Sequence, residues 1–343
     1  MSHHSRYYPT LSLFFSLFFS CIISANEIES FVDAEIEPLA SKSLLLDIVV
    51  VDQKKLVAVG QHGNILISTD AINWQQAAVP IQSTLTSIYF VNVLQGWAVG
   101  HDATILHTSD GGYSWEIQQY KPEKEKPLLD VTFKDEFNGI AVGAYGMFYR
   151  TIDGGKHWTN EFHSEFLSVD DAAYISQLKG QDEEAYRDEI ASILPHFNRI
   201  VQDGRTSYLV GEIGLIAKSN DFGIHWQKFD EIYQGSFFDL ARTHQGNLLV
   251  VGLRGHIFRS LKNGTPWGLI QSSTTALLNS VVLTDDDRII IIGNNGVLLV
   301  SDDDGISYKK EIQTDGKSLI SGVWFNHQLI VTSDVGIKII KVK

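Results

Sequence analysis

The residue types that could do chemistry recur along this chain at intervals instead of clustering in one stretch. Aspartate stands just ahead of tryptophan at Asp70 and Trp74, Asp110 and Trp115, Asp153 and Trp158, and Asp221 and Trp226, while Trp267 closes a fifth stretch and Tyr308 a sixth. A row of carboxylates could serve acid catalysis or hold a metal. Turn chemistry explains each one more simply: the aspartate caps its own turn by accepting backbone N–H groups, glycine makes the turn, and the aromatic ring buries beneath it. His62 and His101 offer two imidazoles, half of a zinc site, and no His-x-His or cysteine pair supplies a third ligand at short range. The expectation is therefore no metal, no cofactor and no catalytic group.

The elements that carry these residues form a repeat. A small-apolar run into glycine, two variable residues and an alternating apolar strand recurs as AVGQHGNILIS from Ala58, AVGHDATILHT from Ala98, AVGAYGMFYRT from Ala141, LVGEIGLIAKS from Leu209, VVGLRGHIFRS from Val250, IIGNNGVLLVS from Ile291 and IVTSDVGIKII from Ile330. Most copies are 40 to 43 residues apart, the period of a four-stranded propeller blade. In the second unit the pattern predicts strands over Leu85–Val91, Gly96–Val99, Thr104–Thr108 and Trp115–Gln118. The expected fold is all-β, a seven-bladed β-propeller occupying residues 26–343.

Two features break the repeat. The seventh unit reaches Lys343 without an aspartate turn or a fourth strand, and Ile28–Pro38 reads as one spare strand, so an N-terminal strand is expected to complete the last blade and close the ring. Between blades 3 and 4 the interval from Gly143 to Gly211 is 68 residues. The excess predicts a helical insertion over about residues 164–197, with helices over Ser168–Leu178 and Asp182–Leu194. Tyr186, Ile190, Ile193 and Leu194 share one face of the second, and Pro195 ends it. Long insertions in compact domains are enriched in function, so this one is a candidate for partner docking as well as a surface excursion.

Composition narrows the partners. A net charge of -14 excludes a nucleic-acid footprint and disfavours anionic lipid. Arg6 precedes an uncharged run from Leu11 to Ala25, too short to span a bilayer, which reads as a signal peptide over residues 1–25. The single cysteine, Cys21, lies within it, so a mature chain would hold no thiol and no bilayer-inserted segment, with lipidation of Cys21 the alternative to cleavage. Export to the periplasm or a lumen follows, with any inner-membrane association made through a partner.

The aspartate turns, such as Thr108-Ser-Asp-Gly-Gly-Tyr-Ser-Trp115, resemble the Asp-box of sialidase-like propellers. The longer runs GWAVGHDATILHTSDGGYSW from Gly96, PLLDVTFKDEFNGIAVGAYG from Pro127 and YQGSFFDL from Tyr233 resemble the photosystem II stability/assembly factor family and its exported bacterial relatives. That resemblance implies a cofactor-free propeller that binds a membrane-protein complex during assembly, with an inner-membrane transporter as one possible client. The chain departs from the family in charge, since photosynthetic members use an arginine-rich face and no arginine occurs here between Ala25 and Arg150. The alternative function is a sialidase-like glycoside hydrolase or a carbohydrate-binding propeller. Hydrolysis would need a carboxylate-gripping arginine cluster, yet the first blade reads Leu45-Leu46-Asp47-Ile48 where one arginine should stand.

A binding surface remains, and propeller geometry puts it on the turns between second and third strands, which ring one mouth of the channel. The candidate partner-binding residues are His62, His101, Asp102, Tyr145, Glu212, Arg254, Asn294 and Asn295, with Tyr145 and Arg254 as anchors. A closed propeller buries the faces of every blade, so a monomer is expected.

Overall fold

The structure, a computed structural model, describes residues 31–261 and 264–342. The expected signal peptide, Cys21 and the first residues of the expected closing strand, Ile28 to Ser30, lie outside that range. Seven antiparallel sheets follow one another along the chain, each a meander in sequence order. The first comprises Leu45–Val51, Lys55–Gly60, Ile65–Ser68 and Gln75–Gln76. The second comprises Leu85–Phe90, Gly96–Gly100, Ile105–Thr108 and Glu116–Gln119, each boundary within one residue of the sequence-based expectation.

Second strands such as Leu248–Gly252 and Ile289–Gly293 are buried at every residue, because a neighbouring sheet covers each of their faces. Covered faces explain why these strands read as continuous apolar runs instead of alternating ones. The described residues form seven hydrophobic clusters, one at each junction between successive sheets. The ring closes the same way as every other junction: Leu45, Ile48 and Leu56 of the first blade pack on Phe325 and Ile330 of the last.

This closure differs from the expected one. Among the described residues the seventh sheet has three strands, Leu319–Phe325, Gln328–Ser333 and Gly336–Ile340. Residues 32–37 form no strand and run beside the outer edge of the first blade. There Ala34 N–H donates to Val79 O at 2.9 Å, Gln82 Nε2 to Asp33 O at 3.0 Å and Gln76 Nε2 to Glu35 O at 2.7 Å. The reason is packing: Ala34 buries in the cluster between the first two blades, while Val32, Glu35, Ile36 and Glu37 stay exposed, so the partial alternation never becomes a half-buried strand. Among the described residues, the turn Ala40–Lys42 brings the N-terminal segment against the seventh blade. A Cβ on Gly336 (φ 93°) would come within 2.0 Å of Ser41 O there.

Two helices, α1 (Val169–Gln181) and α2 (Glu183–Ile190), lie in the chain between Thr159–Asn160 and Phe197–Asp203. Ser168 caps α1 by accepting the Asp171 amide, and Asp182 caps α2 by accepting those of Glu184 and Ala185. α2 stops four residues before the expected end because the Ser192 and Ile193 amides both turn back to Glu189 O. Leu194 is buried, and Tyr186, Ile190 and Ile193 pack on the cluster that holds Phe148, Phe197 and Trp226.

Candidate functional site

The inner strand of every blade enters the channel with the same three-residue pattern, and the third residue points inward after a break in register. These residues are Asp47, Ser87, Asp130, Arg199, Asp239, Ser280 and Ser321. Their side chains tie each blade to the next. Asp47 accepts the Ile88 amide at 3.1 Å, Asp130 the Ile200 amide at 2.7 Å and Asp239 the Val281 amide at 2.8 Å, bridging blades 1 to 2, 3 to 4 and 5 to 6. The alternate junctions use the residue one place earlier: Thr86 Oγ1 donates to Leu128 O at 2.6 Å, Asn198 Nδ2 to Phe237 O at 2.8 Å and Asn279 Nδ2 to Leu319 O at 2.7 Å. Seven is odd, so one junction falls outside the alternation. Ser321 Oγ spans it by donating to Asp47 Oδ1 at 2.7 Å.

Arg199 sits among the three carboxylates, 3.8 Å from Asp47, 3.5 Å from Asp130 and 3.6 Å from Asp239. Burial pushes the Asp130 and Asp239 carboxyls above the usual range, with the Arg199 charge opposing it. The guanidinium is held charged chiefly by Asp130. A cavity of about 280 Å³ remains beside it, collared by Leu46, Leu129, Phe238 and Ile320. This ring was only partly singled out from the sequence. Asp47 drew notice as a place lacking arginine, whereas aligning Leu45-Leu-Asp47 with Phe197-Asn-Arg199 and Phe237-Phe-Asp239 would have shown all seven inward positions.

The rim residues stand above this ring. His62, Tyr145, Arg254 and Asn295 are exposed and adopt left-handed backbone conformations with φ of 57°, 53°, 57° and 59°. In the second blade Asp102 (φ 60°) and Ala103 (φ 46°) share that geometry, and Asp102 accepts the Ser83 hydroxyl at 2.6 Å while His101 is exposed. Asn294 accepts from Asn279 Nδ2 at 3.0 Å. The structure brings Tyr145 and Glu212 together through His196, which the sequence did not single out. The His196 ring meets Tyr145 edge-on at 4.5 Å, its amide donates to Glu212 at 3.2 Å, and Lys126 lies 4.9 Å over the Tyr145 ring. His62, His101, Arg254 and Asn295 are spread around the mouth on separate blades. Among the described residues no group of three or more His, Cys, Asp or Glu is placed to hold a metal.

The box aspartates lie on the opposite face, absorbed by their own turns. Asp110 Oδ1 accepts the Tyr113 and Ser114 amides at 2.9 and 3.0 Å, Oδ2 accepts the Ser114 hydroxyl at 2.6 Å, and Trp115 Nε1 donates to Gly112 O at 2.9 Å. Asp70 bonds the Ile72 and Asn73 amides, Asp153 that of His157 and Asp221 that of His225, and Trp74 Nε1 donates to Ala71 O. Trp158 Nε1 instead reaches Gln118 at 3.3 Å, while the Trp226 and Trp267 indole nitrogens are buried without a partner among the described residues.

A seven-bladed ring with box turns defines an Asp-box β-propeller. Residues 70–127 match the family model described as photosynthesis system II assembly factor YCF48. The photosystem II assembly protein Ycf48 of Synechococcus sp. (strain JA-2-3B'a(2-13)) is 26% identical over 190 residues, 54% of this chain and 49% of that protein. The photosystem II assembly lipoprotein Ycf48 of Synechococcus sp. (strain CC9902) is 24% identical over 201 residues, 58% of this chain and 53% of the relative. The chain spans about half the length of these two relatives. A solved structure described as YCF48 bound to D1 peptide superposes with a TM-score of 0.67 at 18% identity, over 90% of this chain and 98% of that one. Within the Asp-box class the chain is thus similar to photosystem II assembly factor propellers, in sequence over about half its length and in fold over most of it.

Proposed function

We propose that this propeller is a non-catalytic, exported assembly or stability factor that holds a membrane-protein client on its rim face. The observation that carries the reading is the joint match, in sequence and in fold, to proteins named for photosystem II assembly, one of them solved with a D1 peptide. The geometry adds support. Box carboxylates are taken up by backbone amides, the Arg199 guanidinium in the channel is surrounded by three carboxylates, and the rim presents exposed histidine, tyrosine, arginine and asparagine side chains on a rigid frame. The relatives above are named for photosystem II and not for a transporter, so the client class stays at membrane protein.

Export rests on the leader-like run before Ala25 and on a relative named as a lipoprotein. Among the described residues no helix is long and apolar enough to cross a membrane. The hydrolase alternative gains nothing from the channel, where a substrate carboxylate would meet one already-paired arginine.

The test is capture of the tagged protein from gently solubilised membranes of its own organism, with Tyr145→Ala and Arg254→Glu alongside. A stoichiometric integral-membrane partner, weakened at least several-fold in both variants at unchanged melting temperature, is the expected result. Recovery of the propeller alone, or with a bound glycan, would overturn the reading.

A further inference from the structure

The insertion and the fourth blade enclose a cleft of about 530 Å³ on the rim face. One wall is the root of the insertion, with Leu167, Ile193 and Pro195, and the other is the fourth blade's rim turn and outer strand, with Ile213 and Phe229. At its mouth stand Asp171, Glu212, Asp230 and Glu231, opposed by Lys228, whose Nζ is turned to Leu167 O at 3.2 Å. Asp230 and Glu231 are exposed, and their side chains form no hydrogen bond or ion pair among the described residues. The insertion extends the same field, with seven carboxylates against Lys179 and Arg187 between Ser168 and Leu194.

Ile213 gives the cleft an apolar lip. It occupies the left-handed position that His62, Tyr145, Arg254 and Asn295 hold in other blades, at φ 54° and 67% exposed. A β-branched side chain is the least suited to that conformation, and glycine would adopt it freely. An aliphatic surface bordered by unneutralised carboxylates repels anionic lipid and acidic peptides, and complements a cation carried next to an apolar group.

We infer that this cleft docks a polypeptide segment of the client in which lysine or arginine flanks an aliphatic side chain, the aliphatic group seated against Ile193 and Ile213 and the cations facing Asp230 and Glu231. The inference rests on the client-holding reading and names the chemistry of the segment held. Lysine and arginine suit the site because their methylene stems cover apolar surface while their heads reach the carboxylates.

The test uses two synthetic probes, acetyl-Gly-Arg-Leu-Arg-Gly-amide and its Glu-Leu-Glu counterpart, titrated to millimolar concentration against methyl-labelled protein at low salt. The Arg-Leu-Arg probe is expected to shift the Ile193 and Ile213 methyl signals saturably, and the Glu-Leu-Glu probe to leave them unmoved. Asp230→Lys with Glu231→Lys should weaken binding at least tenfold, and Ile213→Gly should weaken it several-fold without lowering the melting temperature, which separates lost contact from lost folding. No shift at these methyls, equal shifts from both probes, or unchanged affinity in the charge-reversed variant would overturn the cleft assignment. The same variants in the membrane capture keep the two readings apart. Full client capture by both would sink the cleft alone, whereas absence of any client on the unmodified protein would sink the holding function itself.

Discussion

The aspartates of the channel ring, Asp47, Asp130 and Asp239, and those of the box turns do the same chemistry at different range. In both, a carboxylate accepts backbone amides. In the ring the amide belongs to the next blade and the group is buried, as with Asp130 and Ile200, whereas in a box the amide lies within the same turn and the group faces water, as with Asp110 and Ser114. The difference teaches that range and burial, more than residue type, decide what a carboxylate stabilises. Ring aspartates bear on the closure of the whole propeller and box aspartates on one turn.

The largest expected effect comes from removing the ring's one cation. Arg199→Met leaves three carboxylates together and should destabilise the protein by about 3–5 kcal/mol at neutral pH. The sign with pH follows from the raised Asp130 and Asp239 carboxyls. Without Arg199 they rise further, the folded protein binds protons that the unfolded chain has released, and the loss shrinks on acidification toward pH 4–5. Urea titrations at both pH values check this, and an equal loss at both would break the electrostatic account of the ring.

A narrower comparison uses two serines. Ser321→Ala removes the donor to Asp47 across the seam between the last and first blades and should cost about 1–2 kcal/mol, since the acceptor stays buried. Ser307→Ala removes a slightly shorter bond, 2.6 Å to Asp303, in an exposed box, and should stay within about 0.5 kcal/mol. Equal melting temperatures for the two variants would erase the distinction between ring and box.

Most of the fold was legible in the sequence because glycine turns and fully buried second strands repeat at blade period. The closing strand was not, because Ile28–Pro38 alternates only in part, and the described residues 32–37 are held on the first blade by the buried Ala34 methyl group and by hydrogen bonds to Val79, Gln76 and Gln82. Of the site, the rim positions could be read from the turn between second and third strands. The ring could not be read from any single blade, since Asp, Ser and Arg at one position make sense only when seven inner strands face one another.

At the root of the insertion, His163 is buried with Nδ1 3.0 Å from Glu165 and Nε2 3.4 Å from Glu161. Burial lowers its pKa, but the hydrogen bond to Glu165 and the nearby charges of both glutamates outweigh that and hold it above the ordinary value. The stabilisation is therefore complete below the unfolded pKa near 6.5 and is lost as pH rises through the folded value. The stability gap between the native protein and His163→Gln should narrow from pH 6 to pH 9, and a gap independent of pH would refute it.

Smallest is the box itself. Asp110→Ala should cost about 1 kcal/mol, the scale of a lost cap. Burial raises the Asp110 pKa, but the Ser114 hydroxyl and amide, the Thr108 hydroxyl and the Tyr113 amide bring it down to about 2. Its contribution is present above the unfolded carboxyl pKa and fades only as pH falls toward 2. Paired melts of native protein and variant at pH 7 and pH 2 would show the gap closing.

On the proposed function the rim face, and not the box face, holds the client. Hydrogen–deuterium exchange on the captured complex tests it most directly. The account predicts slowed exchange in the turns around Tyr145, Glu212 and Arg254 and in the Asp230 segment, with the box turns around Asp110 and Asp221 unchanged. Protection confined to the box turns, with the rim exchanging as in the free protein, would contradict it.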